Sequence, residues 1–331
     1  MAAERAKGLL LADHGLVPVA NRPLLLYGLD AMRAAGIREV GILAEGAVGE
    51  AIRGLIGKER GAGVRVRYLP GRPGGDAGEC LAAAAPFLGG SPCVAQLESG
   101  LVRGEVQPLV DELVRDGLDA LLLVDPSRRT VTSLGQRRLL RLVDGDPSAP
   151  LAGFHVLGPR LVREAAGGGS LAEIVERLLA GGGCARTRPS DGAWKQVART
   201  DELLEANRVV LDELEPGLWR GELIESRVEG RVSIGPGAVL ESSVVRGPSV
   251  IGSRARLRHA YVGPYTAIGD EVEVVGAEIE HSIVLPGAVI RHVGGRLEAS
   301  VVGRRARLFR DFALPKAMRV RLADGDEIAL S

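Results

Sequence analysis

Cysteine, lysine, aromatic rings and long apolar runs are all scarce in this chain, and most of these scarcities close off a class of function. The three cysteines, Cys80, Cys93 and Cys184, have neither metal-ligand spacing nor an even-numbered framework, so they read as reduced thiols. Only four of the 42 basic residues are lysines, Lys7, Lys58, Lys195 and Lys316, which narrows the phosphate contacts available. Basic and acidic residues balance at 42 each, leaving no electrostatic case for nucleic acid or an anionic membrane. The apolar run after Lys7 is too short for a signal peptide and no stretch approaches a membrane span, so a soluble, cytoplasmic protein is expected.

Aliphatic residues are plentiful instead. With 331 residues and 46% hydrophobic content, the chain can bury a sizeable core, and its length suggests two domains. Apolar strands read at residues 8–12, 39–43, 64–68, 93–97, 120–124 and 151–157. Amphipathic segments lie between the earlier ones, and helices follow at about 159–166, 171–180 and 201–213. This alternation predicts an α/β, Rossmann-like domain with a mainly parallel sheet and helices on both faces. Between residues 128 and 143 the pattern breaks into short strands and turns.

After Glu215-Pro216-Gly217 the pattern changes. Ile234, Ile251, Ile268, Val284 and Val302 each open a similar phrase, at spacings of 17, 17, 16 and 18 residues, close to three hexapeptides per repeat. Small residues Ala238, Ala255, Val272, Ala288 and Ala306 stand four places further on. Such a period predicts a triangular parallel β-helix, with the aliphatic column stacked inward and the small residues in the cramped corners. Two domains are therefore expected, residues 1–217 and 218–331, with the chain after Phe309 capping the last coil.

The first strand ends where an α/β fold places a ligand's phosphates, and a phosphate-handling enzyme should put glycines and a basic side chain there. This chain has Asp13, His14 and a single Gly15. The next phrase, LVPVANRPLLLYGLDAMRAAGIREVGIL at residues 16–43, resembles the sugar-1-phosphate nucleotidyltransferases, and the long-form glucose-1-phosphate thymidylyltransferases most closely. ELLEANRVVLDELEP, YVGPYTAIGD and EIEHSIVLPGA extend the resemblance into the second half. It implies a Rossmann-like nucleotidyltransferase domain followed by a left-handed parallel β-helix of hexapeptide repeats. It also implies formation of a nucleoside-diphosphate sugar from a nucleoside triphosphate and a sugar-1-phosphate, with magnesium.

Attack of a sugar phosphate on the α-phosphorus needs in-line positioning and neutralisation of developing charge. The family's glycine-rich loop after the first strand is absent here. Its two metal-holding aspartates, in G-D-N and W-x-D-T-G, fall on Ser99 of Glu98-Ser99-Gly100 and on Gln196 of the phrase opened by Trp194. Its E-K-P falls on Asp144-Gly145-Asp146. Glu98 stands one residue early and, as a strand neighbour, is expected to face away.

What the resemblance leaves is a nucleotide-site remnant of Leu11, Ala12 and Gly75, with Asp76 in place of a leucine. It also leaves a sugar-site remnant of Gly153, Glu173, Trp194 and Lys195. Each also has a structural reading: backbone freedom for the glycines, solvation for Glu173, packing for Trp194. No catalytic residue, metal ligand or cofactor is assigned, magnesium entering only if the chain is active. The expected role is that of a degenerate, non-catalytic structural or regulatory subunit, as a homo-oligomer or joined to an active paralogue. The alternatives are an active nucleotidyltransferase with rearranged ligands, or a module that binds a sugar nucleotide weakly. A further reading makes the β-helix an acyltransferase with His259, His281 or His292 as general base. The apolar stripe of Leu203, Leu204 and Val209 fits either oligomer contacts or burial within the chain.

Overall fold

The computed structural model describes residues 6–12, 15–58, 63–71, 75–125, 151–190, 194–215, 217 and 219–310. The expectations for Asp13 and His14, for residues 128–146 and for the segment beyond Arg310 lie outside the described residues.

The first part runs β1 (Lys7–Leu11), β2 (Pro18–Val19), β3 (Arg22–Pro23), α1 (Leu24–Ala34), β4 (Glu39–Leu43), α2 (Gly46–Lys58), β5 (Arg65–Leu69), α3 (Ala77–Leu88), β6 (Cys93–Gln96), β7 (Gly100–Val102), α4 (Gln107–Arg115) and β8 (Ala120–Val124). It continues with β9 (Leu151–Leu157), α5 (Pro159–Glu164), α6 (Leu171–Ala180), β10 (Ala185–Pro189), β11 (Trp194–Gln196) and α7 (Thr200–Asp212). Seven strands form one sheet in the order β10-β8-β9-β6-β1-β4-β5. Only β9 runs antiparallel to its neighbours; the other pairings are parallel.

Strand alternation explains the two cores. Leu10 points to the side covered by Leu25, Leu29 and Met32 of α1 and Val110 of α4, whereas Leu9 points to Leu81 of α3 and Ile174 of α6. The sheet is thus covered on both faces, as its apolar strands require. Local signals set the helix ends: Asp76 caps α3 by accepting the Glu79 N–H at 2.7 Å, and Gly89 ends it in the left-handed region.

From residue 222 the chain winds into stacked rungs of a left-handed β-helix with three parallel sheets. Ile234, Ile251, Ile268, Val284 and Val302 pair in register as one buried column. Ala238, Ala255, Val272 and Ala288 are fully buried beside them. One sheet of the β-helix, beginning with Val232–Ile234, turns its outer side to the α/β part. There Val250, Ala267 and Ile283 pack against Val19 and Leu24 and against Leu203, Leu204 and Leu211 of α7. The stripe on α7 is therefore buried within the chain. Among the described residues no helix is long and apolar enough to cross a membrane.

Candidate functional site

The site is built where β6 ends, not where a longer strand would run. Gln96 is buried, and its Nε2 donates to the Gly100 carbonyl at 3.0 Å, so the chain bends across residues 97–99 before β7 begins. Strand alternation lapses in that bend. Glu98 consequently faces the cleft, against expectation, and its Oε2 accepts a hydrogen bond from Gln196 Nε2 at 3.2 Å. The bend is held from the other side by β11, which pairs antiparallel with β7, and by the Val197 N–H donating to the Ser99 carbonyl at 2.9 Å.

Trp194 closes the floor. It is buried, and its ring lies so close to Gly100 and Gly153 that an added Cβ would sit 2.3 Å and 2.5 Å from ring carbons. At Gly153 the same Cβ would also meet Glu98 Cβ at 2.5 Å. Beside this packing lies a cavity of about 230 Å³, lined among others by Gly75, Asp76, Glu98, Gly153, His155 and Ser170. An adjoining cavity of about 300 Å³ shares Gly75 and adds Glu45, Glu79 and Cys80. No lysine or arginine occurs among the described residues that line either one.

The sequence-predicted residues divide. Gly75 and Gly153 line the cavity. Ala12 is buried at the end of β1, donating its N–H to the Leu43 carbonyl, and Leu11 packs into the core on the α3 and α6 side. Glu173 does not line the cavity: its carboxylate accepts the Ser170 N–H at 2.8 Å in a capping box, which holds its pKa below the usual carboxylate range. Lys195 is committed to Glu205 of α7 at 3.1 Å. The sequence reading missed His155, whose Nδ1 accepts the Leu123 N–H at 3.1 Å and whose pKa burial pushes down to about 3. Its signal was a lone imidazole in the apolar run of β9.

The three histidines of the acyltransferase reading all sit at β-helix corners with left-handed backbone. His259 and His292 lie on one corner column and His281 on the next, so the fold does not gather them at one point. Among the described residues no group of three or more His, Cys, Asp or Glu is placed to hold a metal.

A parallel-rich sheet with a cleft at its strand ends, followed by a left-handed β-helix, defines the class of nucleotidyltransferases that carry a β-helix. No family model matches the chain. It is 33% identical to a glucose-1-phosphate thymidylyltransferase of Streptomyces griseus, across 96% of this chain and 93% of the relative. It is 32% identical to one of Streptomyces antibioticus, across 95% and 93%. A low-salt glycan biosynthesis nucleotidyltransferase of Haloferax volcanii matches at 27% identity, again across 95% and 93%. Among solved structures, a candidate glucose-1-phosphate thymidylyltransferase of Bacillus anthracis, in complex with a sucrose, superposes with a TM-score of 0.51 at 17% identity. That match covers 62% of this chain and 94% of that one, and it bears on the fold alone. The chain belongs to the sugar-1-phosphate nucleotidyltransferase family.

Magnesium demands anionic oxygens in near-octahedral array. The two facing positions here offer one carboxylate, Glu98, already holding the neutral amide of Gln196. That donor set does not fit the ion.

Proposed function

We propose that this chain is a non-catalytic member of its family, retaining the fold as a structural or regulatory subunit. The observation that carries the reading is the Glu98–Gln196 hydrogen bond. The resemblance implies two aspartates on a metal at Ser99 and Gln196; here the Gln196 amide instead donates to the carboxylate one residue before Ser99. The acidic lining, with Asp76 and Glu98 and no described cation, supports it by repelling a triphosphate rather than screening it. Losing even one preorganised donor to developing charge costs on the order of a hundredfold in rate. The loss of several together should leave turnover near background.

The test is pyrophosphate release by the purified chain with each nucleoside triphosphate, glucose-1-phosphate and magnesium. None above background is expected. Release that follows the protein through purification and disappears in Glu98→Gln would overturn the reading. The cavity beside Gly75 and Gly153 supports a second role, binding of a sugar nucleotide without turnover. Thermal shift with nucleoside-diphosphate sugars, indifferent to magnesium, is the measurement for it.

A further inference from the structure

The β-helix has three faces: one is covered by the α/β part, and a second exposes a six-strand surface whose side chains are complementary to themselves. The six strands are Glu222–Ile224, Val239–Glu241, Arg256–Arg258, Glu273–Val275, Val289–Arg291 and Arg307–Phe309, hydrogen-bonded in that order. In each, the middle residue points into the coil and the first and third point out. The outward first positions read Glu222, Val239, Arg256, Glu273, Val289, Arg307. The outward third positions read Ile224, Glu241, Arg258, Val275, Arg291, Phe309.

We propose that this face is the interface of a two-fold homodimer in which two β-helices pack face to face and antiparallel. A two-fold axis lying in the interface along the strand direction turns the stack of rungs upside down and keeps each residue's place along its strand. The first rung then meets the sixth, the second the fifth and the third the fourth. Glu222 meets the partner's Arg307, Val239 the partner's Val289 and Arg256 the partner's Glu273. In the other row Ile224 meets the partner's Phe309, Glu241 the partner's Arg291 and Arg258 the partner's Val275. No like charges meet anywhere, and each contact occurs twice, as an isologous interface requires.

Three observations favour this occupant. Ile224 and Phe309 are 41% and 56% exposed, two of the five large apolar side chains left exposed among the described residues, and the operation covers each with the other. Glu222 and Arg256 have no ion-pair partner within the described chain, and Arg307 only lies over the Phe309 ring at 5.7 Å. The remaining charges are held ready along the face, Arg258 on Glu241 at 2.9 Å and Arg291 on Glu273 at 2.7 Å. The third face supplies the contrast. Its outward residues include Arg227 and Glu229 on the first strand and Arg296 and Glu298 on the last, so the same operation sets arginine on arginine and glutamate on glutamate.

Six strands about 4.8 Å apart span only about 24 Å. An interface of that size falls toward the lower end of those that hold stable dimers, so association is expected in the micromolar range. The proposal is independent of whether the chain turns over substrate.

Sedimentation velocity of the full chain across micromolar concentrations should show a monomer–dimer equilibrium that weakens with salt. Glu222→Arg and Arg307→Glu alter exposed side chains, and each should raise the dissociation constant at least about tenfold, because the symmetry doubles every repulsion. An equimolar mixture of the two variants should associate again, since each then faces its opposite. A wild-type chain that stays monomeric, as it would if its own C-terminal segment covered this face, overturns the proposal. So does a dimer unmoved by either variant, or a mixture that fails to recover.

Discussion

His155 places a titrating group in the middle of the sheet with its charged form excluded. Burial is the main cause of its low pKa, against a smaller opposing contribution from its hydrogen bond to the Ala152 backbone. Unfolded, the imidazole takes up a proton near 6.5; folded, it does so only near 3. The unfolded state therefore binds more protons between those values, and stability present above pH 6.5 is lost as the pH falls toward 3. The slope should approach about 1.4 kcal/mol per pH unit. Glu205, held down to about 2 chiefly by its hydrogen bond from Arg208 and then by Lys195, contributes stability that is lost only below 4.5, so above that pH the His155 loss is seen without it. Urea unfolding between pH 7.5 and 5 should show the loss in the wild type. His155→Asn, which keeps an acceptor for the Leu123 N–H, should flatten that slope, and an unchanged slope would remove His155 as its cause.

The short β7–β11 ladder and the bend before it decide the site, and here sequence and structure part company. Helices and long strands were legible because their apolar period repeats over many residues: β4, β8, β9 and α6 fall where the periodicity puts them. The β-helix was legible for the same reason, five times over. A three-residue strand has no period to read, so β7 and β11 went unseen, and with them the bend that turns Glu98 into the cleft. The phrase LVPVANRP carried the resemblance for a reason the sequence could not display. Ala20 and Asn21 form the left-handed turn of the β2–β3 hairpin, and Asn21 Nδ2 donates to the Ile268 carbonyl of the β-helix. That hydrogen bond docks the hairpin on the β-helix. Two glycines, one packed under the ladder and one far from it, make a direct test. Gly153→Ala must push Trp194 and Glu98 apart and should cost about 1–3 kcal/mol by denaturant unfolding. Gly54→Ala, inside α2 with nothing within 4 Å of the new methyl, should instead gain about 0.5–1 kcal/mol. Equal effects at the two glycines would show that crowding at the ladder is not what fixes Gly153.

Across the whole molecule, α7 joins the two halves through Asn207, which is fully buried. Its Oδ1 accepts the Ala20 N–H at 2.9 Å and its Nδ2 donates to the Tyr265 carbonyl at 3.0 Å, so one amide holds the β2–β3 hairpin, α7 and a β-helix corner together. Around it Leu203, Leu204, Val250, Ala267 and Ile283 form a buried apolar seam whose side chains offer no substitute for a lost hydrogen bond. Asn207→Ala would leave two half-buried backbone groups without that partner, at up to about 1–3 kcal/mol each. It should therefore weaken the coupling between the halves more than either half itself. The chain's two tryptophans report on the halves separately: Trp194 is buried in the α/β part, and Trp219 donates to the Val232 carbonyl at the start of the β-helix. With Trp219→Phe and Trp194→Phe as backgrounds, the wild-type seam should give coincident unfolding transitions for both reporters. Asn207→Ala should separate them, the α/β part melting first, because parallel rungs with fully buried aliphatic columns lose little when the seam opens. Transitions that stay coincident in Asn207→Ala would mean that the apolar seam alone couples the halves and that the amide only sets their register.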